Sequence, residues 1–145
     1  MAIRPAEASD LAEICSLIRE LAAYEELAHD VVLDEGEVGR WLFGDAPAAS
    51  VLIAEDSPGT VAGMALFFPT FSTFLGRPAI WLEDLFVRPA FRGRGHGLAL
   101  LHELRERAGG GRLEWAVLDW NEPSIRFYES LGARPVVGWT RYRWT

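Results

Sequence analysis

Only one cysteine, Cys15, occurs among the 145 residues, so the chain forms no internal disulfide. That cysteine falls among Leu11, Ile14, Ile18 and Leu21 at helical spacing and reads as a core thiol, since a nucleophile needs a basic neighbour and exposure. No apolar run approaches the roughly 20 residues of a membrane-crossing helix, and the opening MAIRPAEASD lacks the basic-then-apolar pattern of a secretory signal. A soluble cytoplasmic protein with no membrane partner is expected. Positive charge is scarce as well: 14 Lys plus Arg face 21 Asp plus Glu, a formal net charge of −7. Nucleic acid is therefore an unattractive partner, because its binding rests on neutralising phosphates, and cationic small molecules or basic peptides fit better. Repeats, low-complexity tracts and inter-domain linkers are also missing. What is present is a 50% hydrophobic, 12% aromatic chain of single-domain length, read as one domain over 1–145.

Residues 2–5 read as a first strand, followed by a helix capped at Ser9 or Asp10 and ending near Glu25. A second helix spans about 34–43, started by Asp34 and broken by GDAPAAS. VLIAED (51–56) and TVAGMALFF (60–68) read as an antiparallel hairpin, with Pro69 stopping the second strand and PTFSTFLGRP forming a loop. AIWLEDLFV (79–87), apolar on both sides, reads as a central strand covered on both faces. A helix over about 95–108 closes on Gly109, Gly110 and Gly111; LEWAVLD (113–119) is another strand; Asn121 caps a last helix that ends at Gly132. VVGWTRYRW suggests one or two closing strands. The fold class is α/β, with a twisted mixed sheet of about six to seven strands flanked by helices on both faces.

Three stretches carry chemistry. In FVRPAFRGRGHGLALL (86–101) a strand delivers a glycine-rich turn into a helix start, which offers free backbone N–H groups backed by the positive end of the helix dipole. Gly93, Gly95 and Gly97 would let a pyrophosphate approach, with Arg92 and Arg94 adding charge; the alternative is a solvated turn whose arginines offset local acidity. No Gly-Lys-Ser/Thr follows, so it is not a Walker loop, and it comes after the fourth strand rather than the first, unlike a dinucleotide-binding turn.

Glu83 and Asp84 interrupt the central strand. Desolvation there would raise a carboxylate toward general-base duty, while a structural hydrogen bond or ion pair is the competing role. In WNEPSIRFYESLGA, Asn121 and Ser124 suit a helix cap. Tyr128 is either core or a proton donor to a leaving thiolate. His29, His96 and His102 show no ligand spacing, so no metal is expected.

LEDLFV, then RGRGHG opening a helix, then WNEPSIRFYESLGA together resemble the GNAT superfamily of acyl-CoA-dependent N-acetyltransferases, and more closely its diamine branch, the spermidine/spermine and thialysine acetyltransferases. LAAYEEL and FFPTFSTFLG extend the likeness over nearly the whole chain. The resemblance implies acetyl-CoA lying between splayed fourth and fifth strands. Leu85, Phe86 and Val87 would hold the pantetheine arm, the turn Arg92, Gly93, Arg94, Gly95, His96, Gly97 and Leu98 the pyrophosphate, and Asn121, Ser124 and Tyr128 the rest of the cofactor side. Glu83, through water, would take the proton of the incoming ammonium and Tyr128 would protonate the thiolate, with direct attack in a ternary complex and no acetyl-enzyme. Tyr24, Glu25, Glu83, Asp84, Glu114 and Trp115 would meet a small amine: a polyamine, a diamine or a lysine analogue. Polyamine enzymes of the branch carry an acidic pair before a Gly-Trp where this chain has Val136-Val137. A homodimer is implied too. A non-catalytic acyl-CoA sensor and a peptide N-acetyltransferase are the alternative functions.

Overall fold

Apolar alternation in the middle of the chain builds a five-stranded sheet, described by a computed structural model of residues 1–145. Its strands are β1 (Ala2–Pro5), β2 (Ser50–Ser57), β3 (Thr60–Ser72), β4 (Arg77–Val87) and β5 (Leu113–Trp115), in spatial order β1-β2-β3-β4-β5. The first four pair antiparallel; β5 pairs parallel to β4, as its connection through a helix requires. Four helices flank it: α1 (Leu11–Tyr24), α2 (Glu35–Phe43), α3 (His96–Ala108) and α4 (Glu122–Ser130).

Both faces of the sheet are covered, as the doubly apolar β4 requires. On one face Leu52, Ala54, Ala65, Phe67, Ile80 and Leu82 meet Leu100, Leu101 and Leu104 of α3. On the other, Val51, Ile53, Met64 and Phe86 meet Ile14, Leu17 and Leu21 of α1. Each fully buried leucine contributes about 2 kcal/mol by its removal from water. Cys15 is 0% exposed within α1, and burial pushes its thiol up, the state of an inert core residue.

Local chemistry sets the element ends. The Asp34 carboxylate accepts from the Glu37 N–H at 2.9 Å and starts α2, as expected. Asp10 is the N-cap residue of α1, as expected, but its carboxylate bonds backwards: it accepts from the Glu7 N–H at 2.7 Å and from both terminal nitrogens of Arg4, closing a short 3-10 turn over Ala8–Asp10 before the helix begins. Arg88, at the exit of β4, donates to Glu13 Oε1 at 2.7 Å, Glu20 Oε2 at 2.9 Å and the Val61 carbonyl at 3.1 Å. That fan ties α1 to the end of the central strand.

Two strand expectations are corrected. Pro69 does not stop its strand, because β3 runs on to Ser72 with Pro69 opposite Ile80, and the expected loop is largely a hairpin. The reason is geometric. The Ile80 N–H turns away from β3 to the Arg112 carbonyl, so Pro69 stands at a ladder position whose own nitrogen faces outward, and β2 has already ended opposite Phe67. The sheet also holds five strands instead of six or seven: β5 stops at Trp115 instead of 119, and VVGWTRYRW forms none. Its residues find no partner strand, and Pro135 and Gly138, the latter at φ +92°, break any extended run.

Candidate active site

Parallel pairing between β4 and β5 covers only Ile80–Leu82 against Leu113–Trp115. Beyond Leu82 the two strands part. The register of β3 and β4 shifts between Leu66 and Phe67, which leaves Glu83 as the extra residue of a bulge on β4. The Arg88 N–H donates to the Ala62 carbonyl, and by alternation from that bond Phe86 turns its backbone to β3. Leu85 and Val87 turn theirs to the open edge.

That edge lines a cavity of about 530 Å³ bounded by β4, the end of α1, the glycine turn and α4. On its floor the turn carries Gly93 at φ +78° and Gly95 at φ +88°, left-handed conformations that side chains disfavour. Gly95 is the N-cap of α3, and the first N–H of that helix to find a protein acceptor is that of Ala99, on the Gly95 carbonyl at 3.0 Å. The six N–H groups from Gly93 to Leu98 have no acceptor within the chain. A row of unpaired donors at a helix start is an anion cradle.

Of the two arginines of the turn, Arg92 lines the cavity and Arg94 does not. Arg92 donates through Nε to the Val87 carbonyl at 2.8 Å and lays its guanidinium over the rings of Tyr24 (4.9 Å) and Phe86 (5.5 Å). Arg94 is not on the cavity wall; it bonds Asp56 at 2.9 Å.

The opposite wall is α4. Asn121, 5% exposed, accepts at Oδ1 from the Ser124 N–H at 3.4 Å and from the Tyr24 hydroxyl at 3.2 Å. Tyr128, two turns past Asn121, packs against Trp115 with ring centroids 5.0 Å apart. Burial first, then the negative fields of Glu25 and Tyr24, push its phenol up to about 12, so it keeps its proton at any physiological pH.

Three carboxylates gather at the α1 end. Asp84 is half-buried on the α1 side of β4, and desolvation, reinforced by Glu83 and Glu25, raises it to about 6. Burial also pushes Glu25 up. Glu83 is exposed and accepts from Trp81 Nε1 at 2.8 Å.

The cavity thus brings together Tyr24, Glu25, Glu83, Asp84, the 85–87 strand, Arg92, Gly93 and the 95–98 turn, Asn121, Ser124 and Tyr128. It does not include Glu114 or Trp115. Glu114 lines a separate depression with Phe71, Phe74 and Trp139, and Trp115 supports Tyr128 from behind. Both belong to the stretch of β5 still paired with β4, where alternation sends them to opposite faces. Phe91, Val117 and Phe127 also line the cavity, and nothing but their apolarity marks them in the sequence.

A mixed sheet opened beside its central strand, with an anion cradle at the next helix, is the layout of a group-transfer fold. In overall fold the chain is similar to a possible acetyltransferase from Clostridium difficile 630, with a TM-score of 0.81 at 18% identity, covering 99% of this chain and 96% of that one. A family model described as "Acetyltransferase (GNAT) family" matches residues 12–133. The chain belongs to the GNAT acetyltransferase family and is an N-acetyltransferase. It is 38% identical to the thialysine N-epsilon-acetyltransferase of Bos taurus, over 97% of this chain and 90% of that protein. It is 30% identical to the L-ornithine N5-acetyltransferase NATA1 of Arabidopsis thaliana, over 99% and 83%.

Proposed function

We propose that the protein transfers the acetyl group of acetyl-CoA to a primary amine of a small cation, a lysine or ornithine analogue, a diamine or a polyamine. The observation that carries the donor is the run of six N–H groups over Gly93 to Leu98 with no internal acceptor, beside the open backbone edge of Leu85 and the Val87 N–H, the Val87 carbonyl being held by Arg92. A diphosphate fits the first and an amide-bearing arm the second. Glu25, Glu83 and Asp84 supply the negative field that a cationic acceptor needs, and the ring of Tyr24 already holds one cation, that of Arg92.

In this reading the deprotonated amine attacks the thioester carbon directly: a C–N bond forms as the C–S bond breaks. The general-base role expected of Glu83 passes to Asp84, because a carboxylate near 6 is both ionised at neutrality and basic enough to take the ammonium proton. Glu83, exposed beside it, relays that proton to water. Tyr128 gives its phenolic proton to the departing thiolate and is reprotonated, through water, by the second proton that the attacking nitrogen sheds as the amide forms. Homodimer formation and a cytoplasmic setting belong to the same proposal. The first is supported by the unpaired outer edge of β5 and by the exposed strip of Val136, Val137 and Trp139.

The test is amine-dependent release of free thiol from acetyl-CoA across polyamines, diamines, ornithine and lysine analogues. Release with at least one of them is expected; a flat trace over the panel overturns the acceptor assignment.

A further inference from the structure

The strongest unexplained group in the molecule is the imidazole of His96. It is 1% exposed, at the first position of α3, on the stripe that also carries the buried Leu100 and Leu104. An apolar side chain would suit that stripe. Instead the ring places Nε2 2.8 Å from Asp56 Oδ1 and leaves Nδ1 buried with no partner. A buried polar atom without a partner costs about 1–3 kcal/mol, so something about the Nε2 contact compensates.

Asp56 stands near the end of β2, where the ladder to β3 slips: Glu55 pairs with Val61 and Ser57 with Thr60, leaving Asp56 as the unpaired residue of a bulge. Its two oxygens divide between two residues of the turn. Oδ2 accepts from Arg94 Nη1 at 2.9 Å, and Oδ1 meets His96. His96 first, and Arg94 after it, hold this carboxyl below the usual range, so it is ionised. An ionised carboxylate only accepts; Nε2 therefore carries the proton and donates. Arg94 and His96 flank Gly95, the residue at φ +88° whose conformation aims the unpaired N–H groups. One carboxylate, coming from a strand two places away from β4 in the sheet, grips the glycine turn on both sides of its pivot.

We propose that Asp56 is a positioning residue for acetyl-CoA: through Arg94 and His96 it holds the 93–98 turn in its phosphate-binding shape. The inference rests on the reading of that turn as the diphosphate site. It also explains why Arg94 is directed to Asp56 rather than into the cavity. Its charge cancels a carboxylate that would otherwise repel the phosphates.

This gives the test a sign. Were Asp56 only a nearby negative charge, removing it would tighten CoA binding; as a positioning group, its removal loosens binding. Calorimetric titration with CoA, and steady-state kinetics with acetyl-CoA and with S-acetylpantetheine, which lacks the diphosphate, separate the cases. For Asp56→Ala the Kd for CoA and the KM for acetyl-CoA should rise about tenfold, the loss of one charge-assisted hydrogen-bond network. The amine KM and the turnover of S-acetylpantetheine should stay at wild-type values. Asp56→Asn, nearly isosteric and still able to accept from His96, should recover part of the affinity and guards against a misfolded alanine variant. Unchanged or tighter CoA binding in both variants overturns the positioning role, as do equal losses with the two donors. Failure of the wild-type chain to bind CoA at all would overturn the reading of the turn itself, a result distinct from either.

Discussion

The hydroxyl of Tyr24 donates to Asn121 Oδ1 across 3.2 Å of space and 97 residues of sequence. It joins the last residue of α1 to the cap of α4, and so bridges the acceptor and cofactor walls of the cavity. The Tyr24→Phe variant keeps the ring under Arg92 and loses only this bond. Stability should fall by about 1 kcal/mol, the net value of one partly buried hydrogen bond. Thermal unfolding measures that directly, and a raised amine KM with near-normal Kd for CoA should accompany it, because Asn121 keeps its bond to the Ser124 N–H.

Asp84 links rate and stability to pH in opposite senses. Its carboxyl rises from 3.8 to about 6 on folding, so the folded chain holds a proton there that the unfolded chain releases. The stability contributed by this group is complete below 3.8 and is lost as pH climbs through about 6. At pH 7.5 the penalty is on the order of 2–3 kcal/mol. Replacing Asp84 by asparagine should therefore raise the melting temperature at pH 7.5. It should also lower kcat/KM by about a hundredfold or more and erase the rise in rate near pH 6. A variant that melts higher yet turns over normally would remove the base assignment, whereas Glu83→Gln should cost far less.

How much of this could be read from residues alone depends on what each signal encodes. The cap at Asp34, the glycine close of α3 and the turn at 93–98 were legible because single side chains, or their absence, dictate local backbone shape. The divergence of β5 was not, since LEWAVLD looks like one strand and only the bulge at Glu83 and the parting of β4 end it after Trp115. The carboxylates show the same limit. Period-two alternation alone would send Glu83 and Asp84 to opposite faces, but the bulge at Glu83 interrupts that alternation and both carboxylates line one cavity beside α1, an element that begins more than 70 residues earlier. His96, expected in the phosphate turn, conceals a partner that no spacing rule connects to residue 56.

Tyr128→Phe tests the other proton. With its phenol pushed up to about 12, wild-type activity should show no alkaline fall from this group below pH 10. The variant should lose about two orders of magnitude in kcat, the usual value of a general acid, and bind CoA as before. Because Trp115 packs on the ring and not on the hydroxyl, the melting temperature should barely move. Poorer leaving thiols should widen the gap between the two proteins, and better ones should close it.

Pro69 has a consequence beyond its own strand. Past Phe67 the outer side of β3 has no neighbour, and the segment carries Phe71, 62% exposed, with Phe74 at 84% on the adjoining turn. Such a rim invites a foreign strand to zip on and seed fibrous assembly. An imino acid at its centre offers no hydrogen there for an intruder to grasp. The ring that the hairpin tolerates thus also keeps crowded copies of the protein from stitching together along it.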